Sequence, residues 1–261
     1  MKKVEYTMNI YQITFSPTGG TDKVASILSN VWEGQKRKID LLKKDLEEYQ
    51  VQLTPEDICI VAVPAYGGRV PGIAVEHLKL LKGNGAKAVL VAVYGNRKID
   101  DTLVELQDVL EEVEFQCVAG IEAVAEHSLM RQFATGRPDN EDKKELEDYA
   151  RQIKEMIKND SQKAKLELPG NHPYREFGGV PFKPIVGRKC NNCGLCVKEC
   201  PVGAISKVNP KELDKEKCIS CMHCQAICPK KARKLNKWML FVASKGMKKV
   251  CSGRKENKIY F

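Results

Sequence analysis

The sequence lacks any hydrophobic run long enough to cross a membrane. Its apolar stretches, such as Ile58–Val63 and Val89–Val93, have the length of a strand, whereas a membrane-spanning helix needs about 20 apolar residues. The first residues, Met1–Tyr6, also lack the apolar segment of a secretory signal peptide. We therefore expect no transmembrane segment and a cytoplasmic location.

The sequence does not lack the material for a folded core. It has 261 residues, 43% hydrophobic and 30% charged, which argues against a disordered chain. This length accommodates one large domain or two modest ones.

Cysteine is abundant and unevenly placed. Eight of the 11 cysteines lie between Cys190 and Cys228, and in a cytoplasmic chain such clustering favours metal ligation over disulfides. Cys59 and Cys117 lie in apolar strand patterns and are interpreted as core thiols. Cys251 lies in a lysine-rich stretch and is expected to be an exposed thiol.

Charge differs between the two parts of the chain. Residues 161–261 hold 22 Lys+Arg and 7 Asp+Glu, a balance of +15, whereas residues 1–160 hold 21 and 27, a balance of −6. A basic region can indicate nucleic-acid binding. However, the sequence has no aromatic-interleaved basic stripe and no recognised binding motif, so we expect no nucleic-acid partner.

Residues 1–160 alternate strand-like and helix-like patterns. Strand-sized apolar segments are separated by stretches with apolar residues at helical spacing. This alternation predicts an α/β domain, a five-stranded open parallel sheet with helices on both faces. The predicted strands are Met8–Phe15, Lys38–Leu42, Ile58–Val63, Lys87–Val93 and Phe115–Ala125.

The rest of the chain divides into three segments. Residues 161–187 contain four prolines and four glycines, which indicates an irregular connector. Residues 188–235 hold an internal cysteine repeat. Residues 236–261 form a basic tail whose Trp238, Phe241 and Val242 could lie on a helix. We expect this tail to dock on the chain's own domains, with a surface for a partner or a membrane as the alternative.

The cysteine repeat has the pattern C-x2-C-x2-C-x3-C-P in two copies. Thiolates select zinc, Cu(I) or iron–sulfur clusters, and zinc sites usually pair two short knuckles. Three closely spaced cysteines and a fourth before proline instead indicate two [4Fe–4S] clusters, in which the fourth cysteine ligates the other cluster. The predicted ligands are Cys190, Cys193, Cys196 and Cys228 for cluster 1, and Cys218, Cys221, Cys224 and Cys200 for cluster 2.

This segment resembles the bacterial two-cluster ferredoxins, which implies a small α+β domain. One departure is Arg233, at the position that Ile205 occupies in the first copy. His223 is interpreted as a surface loop residue, because all ligand positions are already filled. Part of the basic excess in this half could offset the negative charge of the clusters, and the rest could attract an acidic partner or the acidic first domain.

Three loops of the first domain suggest a flavin site. The segment after the first strand brings hydroxyls and small residues to a helix N-terminus, which suits a phosphate; no ATP-type P-loop is present. The loops after the third and fourth strands place tyrosines beside glycines and then arginines, which suits a flavin ring. The candidate residues are Ser16, Thr18, Gly19, Gly20, Thr21, Pro64, Tyr66, Gly67, Gly68, Arg69, Tyr94, Gly95, Asn96 and Arg97.

Together these loops resemble the flavodoxin family over residues 7–159, which implies bound FMN. The departure is Gly20, where the family usually keeps Thr or Asn; a domain that has lost its flavin is the alternative. His127 follows the fifth strand and is a weak candidate for a catalytic proton donor. A hydrogen-bonded loop histidine is the plainer interpretation.

The whole chain resembles the flavodoxin–ferredoxin fusions of anaerobes. Further marks of that resemblance are Ala134–Pro138 and Cys251–Lys255. It implies an electron-transfer protein that joins two [4Fe–4S] clusters to FMN, so that two-electron chemistry can exchange with one-electron carriers. A flavin-dependent reductase of a small molecule is the alternative. The redox donor and acceptor proteins stay unidentified, and a homodimer stays open.

Overall fold

The computed structural model describes residues 8–161 and 165–261. A short 3₁₀ turn at Leu46–Tyr49 precedes the third strand. The strands are β1 Asn9–Thr14, β2 Gln35–Asp40, β3 Ile58–Pro64, β4 Lys87–Tyr94, β5 Gln116–Val124, β6 Ile185–Val186, β7 Arg233–Lys234 and β8 Lys258–Tyr260. The helices are α1 Gly20–Ser29, α2 Gly72–Leu78, α3 Thr102–Glu112, α4 Asn140–Lys158, α5 Leu195–Lys198, α6 His223–Ala226 and α7 Lys237–Cys251.

The large sheet has the strand order β2-β1-β3-β4-β5-β8. Its first five strands are parallel, in the 2-1-3-4-5 order of the flavodoxin-like fold. The predicted fold class is therefore confirmed. A sixth strand, β8, comes from the C-terminal tail and pairs antiparallel with β5; the sequence analysis did not predict it, because three residues carry too short a pattern.

Apolar cores cover both faces of this sheet. On one face α2 and α3 pack through residues such as Leu78 and Leu103, and on the other α1 and α4 pack through Leu28 and Leu146. Strands β3 and β4 are buried almost throughout, as expected for central parallel strands covered on both sides. Cys59 is fully buried and burial raises its pKa, so it is a core thiol as predicted.

The two copies of the cysteine repeat fold alike. In each copy a short helix follows a residue in the left-handed conformation, Gly194 before α5 and Met222 before α6. In each copy the sulfur of the fourth cysteine accepts the backbone N–H of the residue four positions later. The N···Sγ distance is 3.3 Å at Cys200 and also at Cys228. Strands β6 and β7 close the unit as a small antiparallel ladder.

The proline- and glycine-rich connector packs on the first domain. The Arg69 guanidinium lies 4.7 Å from the centre of the Tyr174 ring. Asp101 accepts the backbone N–H groups of Asn171 and Arg175. The described part of the connector is irregular up to β6 but is fixed by these contacts.

The tail also docks on the first domain. Leu240 and Met247 of α7 pack with Met130 and Phe133, while Trp238 on the outer face of α7 stays 72% exposed. Cys251 is 1% exposed and burial raises its pKa, so the expectation of an exposed thiol is wrong: helix α7 turns it into the contact with the first domain.

None of the helices in the described residues combines the length and the apolar character needed to cross a bilayer.

Candidate functional site

A cavity of about 450 Å³ lies at the carboxyl ends of the parallel strands. This is the edge at which open α/β sheets bind ligands. The structure brings together nine of the residues that the sequence singled out, from all three loops. They are Thr18, Gly20, Thr21, Pro64, Tyr66, Gly67, Tyr94, Gly95 and Arg97.

The loop before α1 has a geometry that suits anion binding at the N-terminus of this helix. Ser16 accepts the backbone N–H of Asp22 at 2.9 Å, and Gly19 makes the left-handed turn into the helix with φ at +88°. The Asp22 carboxylate is bonded to Lys38 at 2.7 Å, so its negative charge is compensated. Ser16 and Gly19 therefore shape the loop without lining the cavity, and Thr18 and Thr21 present their side chains there.

The two tyrosines line the cavity from neighbouring strands. Tyr66 packs edge-on against Phe15, with ring centres 6.4 Å apart, and desolvation raises its pKa. The Tyr94 hydroxyl donates to the Glu256 carbonyl of the tail at 3.2 Å, and desolvation raises its pKa to about 12. Both phenols are therefore neutral at physiological pH.

Gly95 is required by close packing at the fourth-strand loop. A Cβ at this position would lie 2.8 Å from the Cα and Cβ of His127. Any larger residue would push His127 away from the cavity or displace the loop.

Besides Ser16 and Gly19, three more predicted site residues do not line the cavity. The Arg69 guanidinium is held by Glu105 at 2.7 Å, which raises its pKa, and it covers Tyr174 of the connector. Asn96 donates to the carbonyls of Cys251 and Gly253 at 2.6 and 2.8 Å. Gly68 packs on Asp100.

The predictions that Arg69, Asn96 and Gly68 face the ring are therefore not supported by the geometry. Arg69 and Asn96 each bond to a segment that lies far away in the sequence. Gly68 instead packs on Asp100 of the next loop. Arg69 fixes the connector to the first domain, and Asn96 fixes the tail.

His127 lines the cavity as a neutral imidazole. Its Nδ1 accepts the backbone N–H groups of Leu129 and Met130 at 3.2 and 3.3 Å, so the ring proton is on Nε2. Desolvation lowers the pKa of His127. The residue thus holds one proton at Nε2 around neutral pH.

The cavity has a roof that sequence reasoning missed. Residues of the connector, of the cysteine repeat and of α7 line its outer side. The only sequence signals were the aromatic residues in the connector and the apolar positions in the tail. The roof residues are Val180, Phe182, Ser220, Ala243, Gly246 and Met247.

The eight cysteines of the repeat form two groups that mix the copies. The first group lines one cavity and consists of Cys190, Cys193, Cys196 and Cys228. In the second group, the thiol of Cys221 lies near those of Cys224, Cys200 and Cys218. Each group thus takes three cysteines from one copy and the fourth from the other.

The C-x2-C-x2-C-x3-C-P pattern of these thiols is typical of a four-iron cluster, whereas zinc sites usually pair two short knuckles. Among residues 8–161 and 165–261, no three Cys, His, Asp or Glu side chains are placed to hold one metal ion. Burial raises the pKa of Cys221 and Cys224 to about 12, so without metal these thiols stay protonated.

The second cysteine group lies against the large cavity. Ser220, next to Cys221 in the chain, lines that cavity, and its hydroxyl donates to the Val180 carbonyl at 3.1 Å. The pKa of Tyr66 is raised by burial and, to a smaller extent, by its electrostatic interaction with Cys221, which places the phenol and the thiol near each other. The two candidate sites therefore share a wall.

His223 ties the repeat to the first domain. Its Nδ1 lies 2.9 Å from the Pro17 carbonyl, to which it donates. The residue is half-buried, so the interpretation as a surface loop residue is wrong. Only the tertiary structure brings the two segments, 206 positions apart, into contact.

Comparisons with known proteins identify the cysteine-rich unit. The model of the 4Fe-4S dicluster domain matches residues 189–232. Pyruvate synthase subunit PorD of Methanothermobacter marburgensis is 34% identical over 76 residues, which are 28% of this chain and 91% of that protein.

Other proteins are similar over different shares of the chain. A component of the ion-translocating oxidoreductase complex of Methanosarcina acetivorans is 45% identical over 58 residues, 22% of this chain and of that protein; the chain thus spans about a fifth of that relative. A solved flavodoxin from the domain Archaea matches at a TM-score of 0.40 with 13% identity, over 58% of this chain and 99% of that one.

The strand order of the large sheet and the dicluster match together support a fusion of a flavodoxin-like domain with a two-cluster ferredoxin domain. The chain belongs, through residues 189–232, to the 4Fe-4S dicluster ferredoxin family, and it joins this iron–sulfur electron-transfer domain to a flavodoxin-like α/β domain.

Proposed function

We propose that this chain transfers electrons between two [4Fe–4S] clusters and an FMN held in the large cavity. The observation that supports the proposal most is the shared wall, where Ser220 lines the cavity beside Cys221. Electron transfer between cofactors needs short separations in a water-poor environment, and cofactors on either side of this wall would have both.

The residues of the cavity fit FMN in size and chemistry. The volume of about 450 Å³ lies in the range of small-ligand sites. Thr18, Thr21 and the free N–H groups at the start of α1 would hold the phosphate. The loops containing Tyr66 and Tyr94 would hold the ring, and when bound the flavin accepts one or two electrons.

The cysteine groups fit two clusters with crossed ligation. Cys190, Cys193, Cys196 and Cys228 would hold cluster 1, and Cys218, Cys221, Cys224 and Cys200 would hold cluster 2. Cluster 2 would then be the one beside the flavin cavity. Cluster 1 would face outward, because Cys193 is exposed whereas Cys221 and Cys224 are buried.

The roof residues would keep water from the flavin. Phe182 of the connector and Met247 of α7 cover the cavity opposite the loops. Exclusion of water and oxygen limits side reactions of a reduced cofactor. In this arrangement electrons would reach or leave the flavin through the clusters.

A flavin-dependent reductase is the second candidate function. The observation in its favour is that His127 lines the cavity with its proton on Nε2. In a reductase this atom would donate a proton to a bound substrate. Loss of small-molecule turnover in His127→Ala, with FMN retained, would favour this function over a pure electron carrier.

The test of the main proposal is anaerobic purification followed by cofactor analysis and photoreduction. We expect about eight irons and eight sulfides, one FMN, and electron exchange between them that does not depend on protein concentration. In Thr18→Asp a carboxylate faces the phosphate site, so FMN should be lost while iron is retained.

The matched control is Ser161→Asp, which adds the same charge at an exposed position after α4. It should keep both cofactors. A protein with about four irons or fewer and no flavin, or a Thr18→Asp variant that keeps its FMN, would overturn the proposal.

A further inference from the structure

The two copies of the cysteine repeat differ at a position that is buried in both of them. Ile205 of the first copy and Arg233 of the second are each 3% exposed. Ile205 packs in the apolar cluster that contains Cys200 and Cys224, two of the proposed ligands of cluster 2. The internal repeat thus places an isoleucine beside one cluster and an arginine at the corresponding place beside the other.

Arg233 lines the cavity formed by the cluster 1 cysteines. That cavity contains Cys190, Cys193, Cys196 and Cys228 together with the arginine. The position follows from local structure: β7 begins at Arg233 and pairs with Val186 of β6, which holds the backbone against the ligand loop.

The guanidinium of Arg233 is incompletely bonded by the protein. Its Nη2 donates to the Pro210 carbonyl, but its Nη1 is buried and has no partner among residues 8–161 and 165–261. A buried charge without compensation costs several kcal/mol, and a buried N–H without an acceptor adds to this cost. The buried guanidinium therefore requires a negatively charged hydrogen-bond acceptor.

A [4Fe–4S] cluster meets that need. Four thiolates and four sulfides around iron give a net negative unit whose sulfurs accept hydrogen bonds. Hydrogen bonds to the sulfurs and nearby positive charge both stabilise the reduced form, which carries one more negative charge. The counterpart Ile205 offers neither effect. The positive charge of Arg233 acts on Cys228 and also on Cys224, so the hydrogen bond from its Nη1 is what distinguishes cluster 1.

We propose that Arg233 donates a hydrogen bond from Nη1 to cluster 1 and sets its reduction potential above that of cluster 2. This inference rests on the proposed pair of clusters. A single electron from a one-electron donor would convert cluster 1 from the 2+ to the 1+ state while cluster 2 stays oxidised. Arg233 would then direct electrons from the flavin side outward to the exposed cluster.

The first test is Arg233→Ile in the anaerobically purified holoprotein, which copies the residue of the first repeat. Redox titration is followed by EPR, and contact-shifted cysteine proton signals in NMR assign each potential to a cluster. Among singly reduced molecules, we expect the ratio of those reduced at cluster 1 to those reduced at cluster 2 to fall at least tenfold, or about 59 mV for a one-electron couple.

Two controls separate this effect from general damage. Ile205→Leu changes the apolar side chain beside cluster 2 without changing charge, and it should leave the ratio within about twofold. Arg233→Lys keeps the charge but loses the planar fork, and its ratio should lie between those of the wild type and Arg233→Ile.

A second measurement does not require any variant to fold. With arginine labelled by ¹⁵N in the guanidinium, ENDOR of the singly reduced wild-type protein should show coupling between ¹⁵N and the reduced cluster. Absence of this coupling, or an unchanged ratio in Arg233→Ile with full iron content, would overturn the inference. Missing iron in the wild type would instead refute the proposed function.

Discussion

Replacing Asp142 by Asn should destabilise the protein because Asp142 joins the tail to the first domain. Its side chain is fully buried and forms an ion pair with Arg137, whose side chain is 6% exposed. It also accepts a hydrogen bond from Asn257 of the tail at 3.0 Å. The same carboxylate closes the N-terminal capping box of α4 with Asp139.

The expected loss is about 3–5 kcal/mol of unfolding free energy, because breaking one side of a buried ion pair leaves the other charge uncompensated. Asparagine preserves the size and can keep the bond to the tail, so the loss reports on the Arg137 charge. The assay is urea denaturation of the apoprotein, with the slope checked for unchanged cooperativity.

The matched control is Asp148→Asn on the same helix. Asp148 pairs with Arg151 at the surface, with side chains 49% and 53% exposed, and exposed pairs contribute about 0–1 kcal/mol. If Asp142→Asn cost no more than this control, the assignment of Arg137–Asp142 as a buried, stabilising ion pair would be refuted.

Two further predictions concern the cavity and pH. Gly95→Ala should weaken FMN binding at least tenfold in a flavin fluorescence titration, because the added Cβ would lie 2.8 Å from His127. In the control Gly20→Ala the added Cβ would lie 3.4 Å from the nearest atom, and FMN affinity should change by less than about threefold. Equal effects of the two substitutions would contradict the steric argument. Hydrogen bonds lower the pKa of Asp139 and Asp142 in the folded state, chiefly from Arg254 to Asp139 and, against desolvation, from Arg137 to Asp142. Their contribution is therefore present above the unfolded pKa of about 3.9 and is lost as pH falls through the lower folded values. The contribution of these groups to the unfolding free energy should be nearly constant from pH 7 to 5 and fall below about pH 4. Asp142→Asn should make this fall at low pH less steep. An equally steep fall in the variant would show that other carboxylates cause it.

Patterns of local origin were predictable from the sequence. The periodic cysteines needed no tertiary information, because a repeat with fixed spacing places its ligands around a cluster by short loops. The strands β3 and β4 were predictable because a strand covered on both faces must be apolar along its length. The start of α1 was predictable because glycine and hydroxyl residues favour a loop that presents free N–H groups.

The direction of individual side chains was not predictable in the same way. Arg69 follows a flavin-type pattern, yet it bonds to Glu105, 36 positions away, and stacks on the connector. Asn96 likewise bonds to Cys251, 155 positions away. Whether a polar side chain faces a cavity or a neighbouring segment depends on which partner the fold brings within about 3 Å.

The sequence by itself determined the α/β sheet, the cysteine spacing and the three loops at the carboxyl edge, since each depends on residues close together in the chain. Only the tertiary structure decided that β8 completes the sheet, that α7 and the connector roof the cavity, and that Cys221 lies against its wall. These features join segments that lie far apart in the chain, and such contacts are fixed by the packing of the whole molecule and leave no local pattern.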